Sequence, residues 1–165
     1  MQLGIAPKVQ HEPGQPAEAR RGIMLPVSYP YPGQVRVEKP QDLKIMLGYP
    51  SFTGVREVAY ERIIAATALY DDEHHALGTT ILTRLREQGV ELVDAMTLEA
   101  MADARLIPVR WRGYGAVHFF APIFLTEDGR RLVRSIAWNG VVWVHGYSRL
   151  GDGFGKDDFV ATLLP

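Results

Sequence analysis

Apolar and polar positions alternate with period two through residues 115–147, and the alternation breaks twice, at Glu127-Asp128-Gly129 and at Asn139-Gly140. Period two marks strands, so the pattern predicts three strands in a meander. Asn-Gly between alternating runs predicts a two-residue type I′ hairpin, whose central residues both need φ > 0. With that loop, Trp138 faces Val141, Ile136 faces Trp143, Arg134 faces His145, and Leu132 faces Tyr147. Strand side chains alternate, so these eight share one face. The first turn preserves parity at either a two- or a four-residue length, which adds Val117, Phe119, Ala121 and Ile123 to that face. The opposite face takes His118, Phe120, Pro122, Phe124, Arg131, Val133, Ser135, Ala137, Val142 and Val144. The aromatic first face is expected to be core. The second is also apolar and calls for a cover. Pro122 cannot donate to a ladder and suits an edge or a bulge.

The period changes upstream. Val55, Val58, Ala59, Ile63, Ala66, Leu69 and Tyr70 form a stripe that predicts a helix over 55–70. Leu77, Ile81 and Leu85 predict a second over about 73–88, with Asp71 or Asp72 as its cap and Gly89-Val90 as its left-handed stop. Thr97 is expected to cap a third, Leu98 to Arg105. Residues 90–93 and 107–112 read as short strands, 148–156 as a loop, and 159–164 as a closing element of undetermined type. Prolines at 26, 30, 32, 40 and 50 forbid a long helix in 23–54. That segment reads as an extended arm with a short strand at Val35–Val37. Residues 1–22 are too polar and too rich in proline to offset their ordering entropy, and are expected to be disordered or ordered by a partner. The expected fold is therefore α+β: a 55–165 domain with two or three helices packed on an antiparallel sheet of about four strands, preceded by the N-terminal arm.

With 165 residues, 47% of them hydrophobic, the chain is long enough for a real core. Its net charge of −1 gives no general electrostatic case for nucleic acid or membrane. Residues 55–105 are locally acidic, with ten acidic side chains to five basic. The chain has no cysteine, which excludes disulfides, iron–sulfur clusters and thiolate zinc sites. No apolar run reaches the roughly 18 residues of a membrane span, and no secretory leader is visible at the N-terminus. A cytoplasmic protein, or a part of an intracellularly assembled particle, is the expectation.

Candidate chemistry is sparse. Gly151 to Lys156 suggests a phosphate loop, but Leu150 stands where a Walker loop needs Gly and Asp157 where it needs Ser or Thr. Asp71 and His75 lie four apart and would share a helix face as metal ligands, yet zinc needs three or four ligands. His145 beside Arg134 is the best enzyme-like pair, because a guanidinium disfavours imidazolium and leaves the ring as a base. The register places no carboxylate or nucleophile next to them. An acid from the helical segment is the alternative partner for Arg134. Arg110, Trp111 and Arg112 form a basic-aromatic edge that could stack on single-stranded nucleic acid, against which the acidic middle argues. The 97–112 stretch also runs into Pro108, Gly113 and Gly115, poor sequence for a recognition helix.

These features favour a non-enzymatic interaction or assembly protein, with a protein partner or a second copy of itself and no cofactor. Its docking anchors would be Ile23, Leu25, Tyr29 and Tyr31 on the arm. A small enzyme centred on His145 and Arg134, and a nucleic-acid binder, are the alternatives.

Overall fold

Both faces of the meander are apolar because the chain covers both. The computed structural model describes residues 22–29, 44–45 and 54–165. In chain order the strands are β1 (Met24–Tyr29), β2 (Lys44–Ile45), β3 (Gly54–Ala59), β4 (Ile63–Ala66), β5 (His75–Leu77), β6 (Ala116–Leu125), β7 (Arg131–Trp138), β8 (Trp143–Arg149), β9 (Gly153–Gly155) and β10 (Asp158–Leu163). Two α-helices, α1 (Gly78–Glu87) and α2 (Ala95–Asp103), lie between β5 and β6. The main sheet has the order β4-β10-β6-β7-β8, with β2 pairing the far end of β6. It is mixed, not antiparallel as expected, because β10 runs parallel to β6. From β8 the chain crosses the second face through Leu150 and Phe154. It then enters between β4 and β6, so the closing element is an interior strand.

On the first face, α2 and the β1–β3 ribbon bury Leu25, Val27, Val58, Leu98 and Met101 against Trp111, Phe119 and Ile136. On the second, Ile81, Leu82 and Leu85 of α1 pack with Leu150 and Phe154 on Phe120, Val133 and Val160. Truncating any one of these fully buried large side chains to Ala is expected to cost about 2–5 kcal/mol. The described start of the arm belongs to this body. β1 pairs with β3 from Met24↔Ala59 to Tyr29↔Gly54. Leu25 and Val27 are buried and Ile23 packs beside them. The expectations for residues 1–21, Tyr31 and the strand at 35–37 fall outside the described residues.

Several expected elements are replaced. The 55–70 helix is instead β3, a 3-10 turn at Tyr60–Arg62, and β4. The buried residues of these three elements, Val58, Tyr60, Ile63 and Ala66, fit a strand–turn–strand as well as a helical stripe. The β-branched residues among them prefer the pleated form once partner strands exist. The second helix starts at Gly78, not 73, because His75–Leu77 pairs with β9. No side chain caps it. Its first N–H groups donate to main chain instead: Gly78 to the Asp152 carbonyl at 3.1 Å, Thr79 to that of Leu150 at 3.0 Å. A Cβ on Gly78 would sit 2.7 Å from the Leu150 carbonyl oxygen, so only glycine fits this approach. Its C-terminus is as expected: Gly89 has φ +63, and the Val90 N–H donates to the Leu85 carbonyl at 3.0 Å. The cap of α2 is Asp94, whose Oδ1 accepts from the Thr97 N–H at 2.8 Å, so Thr97 is its donor. The expected strand at 107–112 is a 3-10 turn, Val109–Gly113, entered through Pro108 and turning Trp111 inward.

The hairpin register shifts by two residues. Trp138 pairs with Trp143, Ile136 with His145, and Arg134 with Tyr147, which leaves a four-residue loop, 139–142. Asn139 causes the shift: its side-chain oxygen accepts from the N–H groups of Val141 at 3.0 Å and Val142 at 2.9 Å. That local turn replaces the type I′ geometry, and only Gly140 takes positive φ there. An even shift preserves which residues share a face. In β6 parity does change. Phe119 pairs with Arg134 but Phe124 pairs with Leu132, so the bulge around Pro122 contains an odd excess of residues. Phe124 therefore joins the first core, and Ile123 the second.

Candidate functional sites

Arg134 projects from β7 on the first face, where α2 supplies the acid the sequence left open. Its Nε and Nη2 donate to Glu99 Oε1 at 3.0 and 2.7 Å. Nη2 also lies 3.3 Å from His145 Nδ1. Arginine has no lone pair to offer, so Nδ1 is the acceptor. The guanidinium stands 5.0 Å from the centre of the Tyr147 ring, a cation–π contact. Burial pushes the Tyr147 phenol above its ordinary value. The structure thus brings His145 and Arg134 together, diagonally and not as a cross-strand pair. The guanidinium ties α2 to the sheet and is already committed to an acid, a ring nitrogen and an aromatic face. An open cleft of about 370 Å³ borders Glu99 on the other side, lined by Leu25, Pro26, Met96, Ala100, Asp103 and Ala104; His145, Trp143 and Tyr147 do not line it.

The other sequence candidates are dispersed. Asp71 lies in an exposed turn and His75 in β5, so no helix face carries both. Among the described residues no group of three His, Asp or Glu is placed to hold a metal ion. Glu73 pairs instead with Arg84 through two contacts of 2.6 Å, and that hydrogen-bonded guanidinium holds its carboxyl down at about 2. Trp111 is 1% exposed and packs against Phe119, so its ring is not available to stack on a base. Arg110 and Arg112 are exposed, and Arg112 lies 4.1 Å from the centre of the Trp138 ring. Leu25 is core, and Ile23 packs on it. Among the described residues no helix is long and apolar enough to cross a membrane.

Two features were not singled out in the sequence. At the end of the β7–β8 hairpin, Val141, Val142 and Val144 are 78%, 54% and 46% exposed. On the other face of the hairpin Trp138 and Trp143 form an edge-to-face pair 5.2 Å apart. β8 ends the main sheet, and among the described strands it pairs with β7 alone. The other feature is His118, buried at mid-sheet, with Nε2 3.2 Å from Asp158 Oδ1. Nothing in the spacing pointed to this pair, because its acid comes from a strand forty positions later. No family model matches the chain, and neither curated proteins nor solved structures yield a significant match.

Proposed function

We propose that this chain is an interaction or assembly protein that docks a protein partner, a second copy of itself included, through the tip and outer strand of the β7–β8 hairpin. The single observation that carries this is the exposure of Val141, Val142 and Val144 at the end of the β7–β8 hairpin. Three neighbouring valines held in water at the end of a well-packed sheet are the kind of apolar patch that marks an interaction site. The other face of the same hairpin carries Arg112 on Trp138, and tryptophan and arginine are residue types enriched where binding energy concentrates. An edge strand also offers main-chain donors and acceptors to an added strand.

The anchors Ile23 and Leu25 are engaged within the chain's own first core, which moves the docking surface from the arm to the hairpin. Catalysis at His145 would need a recess into which the ring opens and an uncommitted acid or nucleophile; Arg134 and Glu99 already satisfy one another. The test is substitution of Val142 and Val144 by Lys, alone and together. Both side chains point to water, so the monomer fold and its melting temperature should persist. Association measured by native mass or sedimentation should weaken at least about tenfold, the effect of losing ~1.4 kcal/mol of interface. Unchanged association of a folded double variant would reject the hairpin as the docking surface.

A further inference from the structure

Asn139 is the chain's single asparagine, and Gly140 follows it. Both are exposed in the loop that joins β7 to β8. The Asn139 side chain is folded forward along that loop. Its Oδ1 accepts from the Val141 N–H at 3.0 Å and from the Val142 N–H at 2.9 Å, and its main-chain N–H donates to the Val142 carbonyl at 3.2 Å. These bonds clamp the carboxamide across the intervening peptide of Gly140. Two nitrogens are left over. Among the described residues neither the Gly140 N–H nor the Asn139 Nδ2 has a hydrogen-bond acceptor. Gly140 has φ +97, and a Cβ built on it would meet nothing within 4 Å, so solvent reaches its peptide nitrogen.

We infer that Asn139 is a self-modification site, whose carboxamide is converted to a carboxylate through attack by the Gly140 nitrogen. The Gly140 amide gives its proton to hydroxide, and its nitrogen bonds to Asn139 Cγ. The carbonyl electron pair moves onto Oδ1. It returns as the Cγ–Nδ2 bond breaks, and Nδ2 leaves as ammonia with a proton from water. The product is a five-membered succinimide ring. Water opens this ring at either carbonyl, giving aspartate or, with the main chain rerouted through Cγ, isoaspartate. One water is consumed and one ammonia released, with no change of oxidation state.

The folded loop favours this step in three ways. Charge develops on Oδ1 during the attack, and two N–H groups are already aimed at that atom, as in an oxyanion hole. The clamp holds the carboxamide beside its nucleophile, which removes part of the orientational cost. Glycine supplies a nitrogen that no side chain crowds. The aspartate product still accepts both N–H groups and keeps the loop. The isoaspartate product adds a methylene to the main chain and breaks the closure at Val142. Either form places a negative charge beside Val141 and Val142. A consequence for docking rests on the hairpin reading above; the modification does not, and it is measured on the chain alone.

The test is mass determination of the purified full chain held at pH 8, folded and, in parallel, unfolded in guanidinium chloride. Replacing the amide NH2 by OH adds about 1 Da, and peptide mapping assigns its position. The folded chain should gain this mass at residue 139 faster than the unfolded chain by about threefold or more, because only the folded loop holds Oδ1. N139Q, whose longer side chain would have to close a six-membered ring, should show no gain over the same time. A folded rate at Asn139 that does not exceed the unfolded rate, or a gain that persists in N139Q, would overturn the assignment.

Discussion

Arg134 is the joint between the first face of the sheet and α2, and removing it should loosen that joint by a predictable amount. Arg134→Met keeps the apolar stem and deletes the guanidinium. Two losses follow. The first is the pair of donations to Glu99 Oε1, at 3.0 and 2.7 Å. A charged hydrogen-bonded pair is worth about 1.5–3 kcal/mol when buried. Here the Glu99 side chain is 40% exposed although that of Arg134 is only 14% exposed, so solvent screening reduces this to about 1–1.5 kcal/mol. The second is the cation–π contact with Tyr147, about 0.5 kcal/mol at this partly open site. The sum, about 2 kcal/mol, corresponds to a fall in Tm of roughly 4–8 °C for a domain of this size. Glu99→Gln keeps an oxygen acceptor and should cost only about 0.5–1 kcal/mol. In a double-mutant cycle the pair should show a coupling of about 1 kcal/mol, read from urea melts with unchanged m-values. An Arg134→Met protein melting within a degree of the parent, or a cycle that closes with no coupling, would refute the role given to this residue.

Glu73→Gln should flatten the acid limb of the stability profile. The carboxyl is lowered from 4.5 to about 2 in the folded chain, so its stabilisation is full above about pH 4.5 and is lost as pH falls toward 2. At neutral pH the variant should lose about 1–2 kcal/mol, discounted for partial exposure, and an acid titration of the melt in which wild type and variant run parallel would contradict this. Asn139→Ala removes the acceptor for two loop N–H groups and should cost about 1 kcal/mol in a urea melt; no change would mean that the loop holds without it. Trp111→Ala, in the core, should cost about 3–5 kcal/mol, whereas Trp143→Ala, at a half-exposed site, should cost about 1–2 kcal/mol. Equal melting temperatures for the two tryptophan variants would refute the burial assigned to them.

The faces of the meander were legible because strand parity survives any even error. The Asn139-Gly140 signal located the hairpin, but a side-chain acceptor at Asn139 can organise a longer loop, and composition does not distinguish the two. The odd excess around Pro122 swapped Phe124 and Ile123 between faces. Pro122 announced an irregularity, but no local feature gives its length. Residues 55–70 were misread because apolar positions around a tight strand–turn–strand mimic a helical stripe. The competing β preference acts only once β1 and β10 are present to pair. The start of α1 was hidden for a similar reason, since the groups that satisfy it belong to residues 150 and 152. Of the candidate site, His145 with Arg134 was visible from parity. Glu99 was visible only as some acid from the helical region. The exposure of Val142 and Val144 could not be seen, because which stretch of the second face α1 leaves uncovered depends on tertiary packing.

The central claim, docking through the β7–β8 hairpin, is tested most directly by native mass determination of the protein purified from its own host, beside a Val142→Lys, Val144→Lys double variant prepared the same way. The account predicts that the parent carries a second chain, identical or different, and that the folded double variant runs at the mass of one chain. A parent that runs as a single chain at working concentration, or a folded double variant that retains its partner, would contradict it.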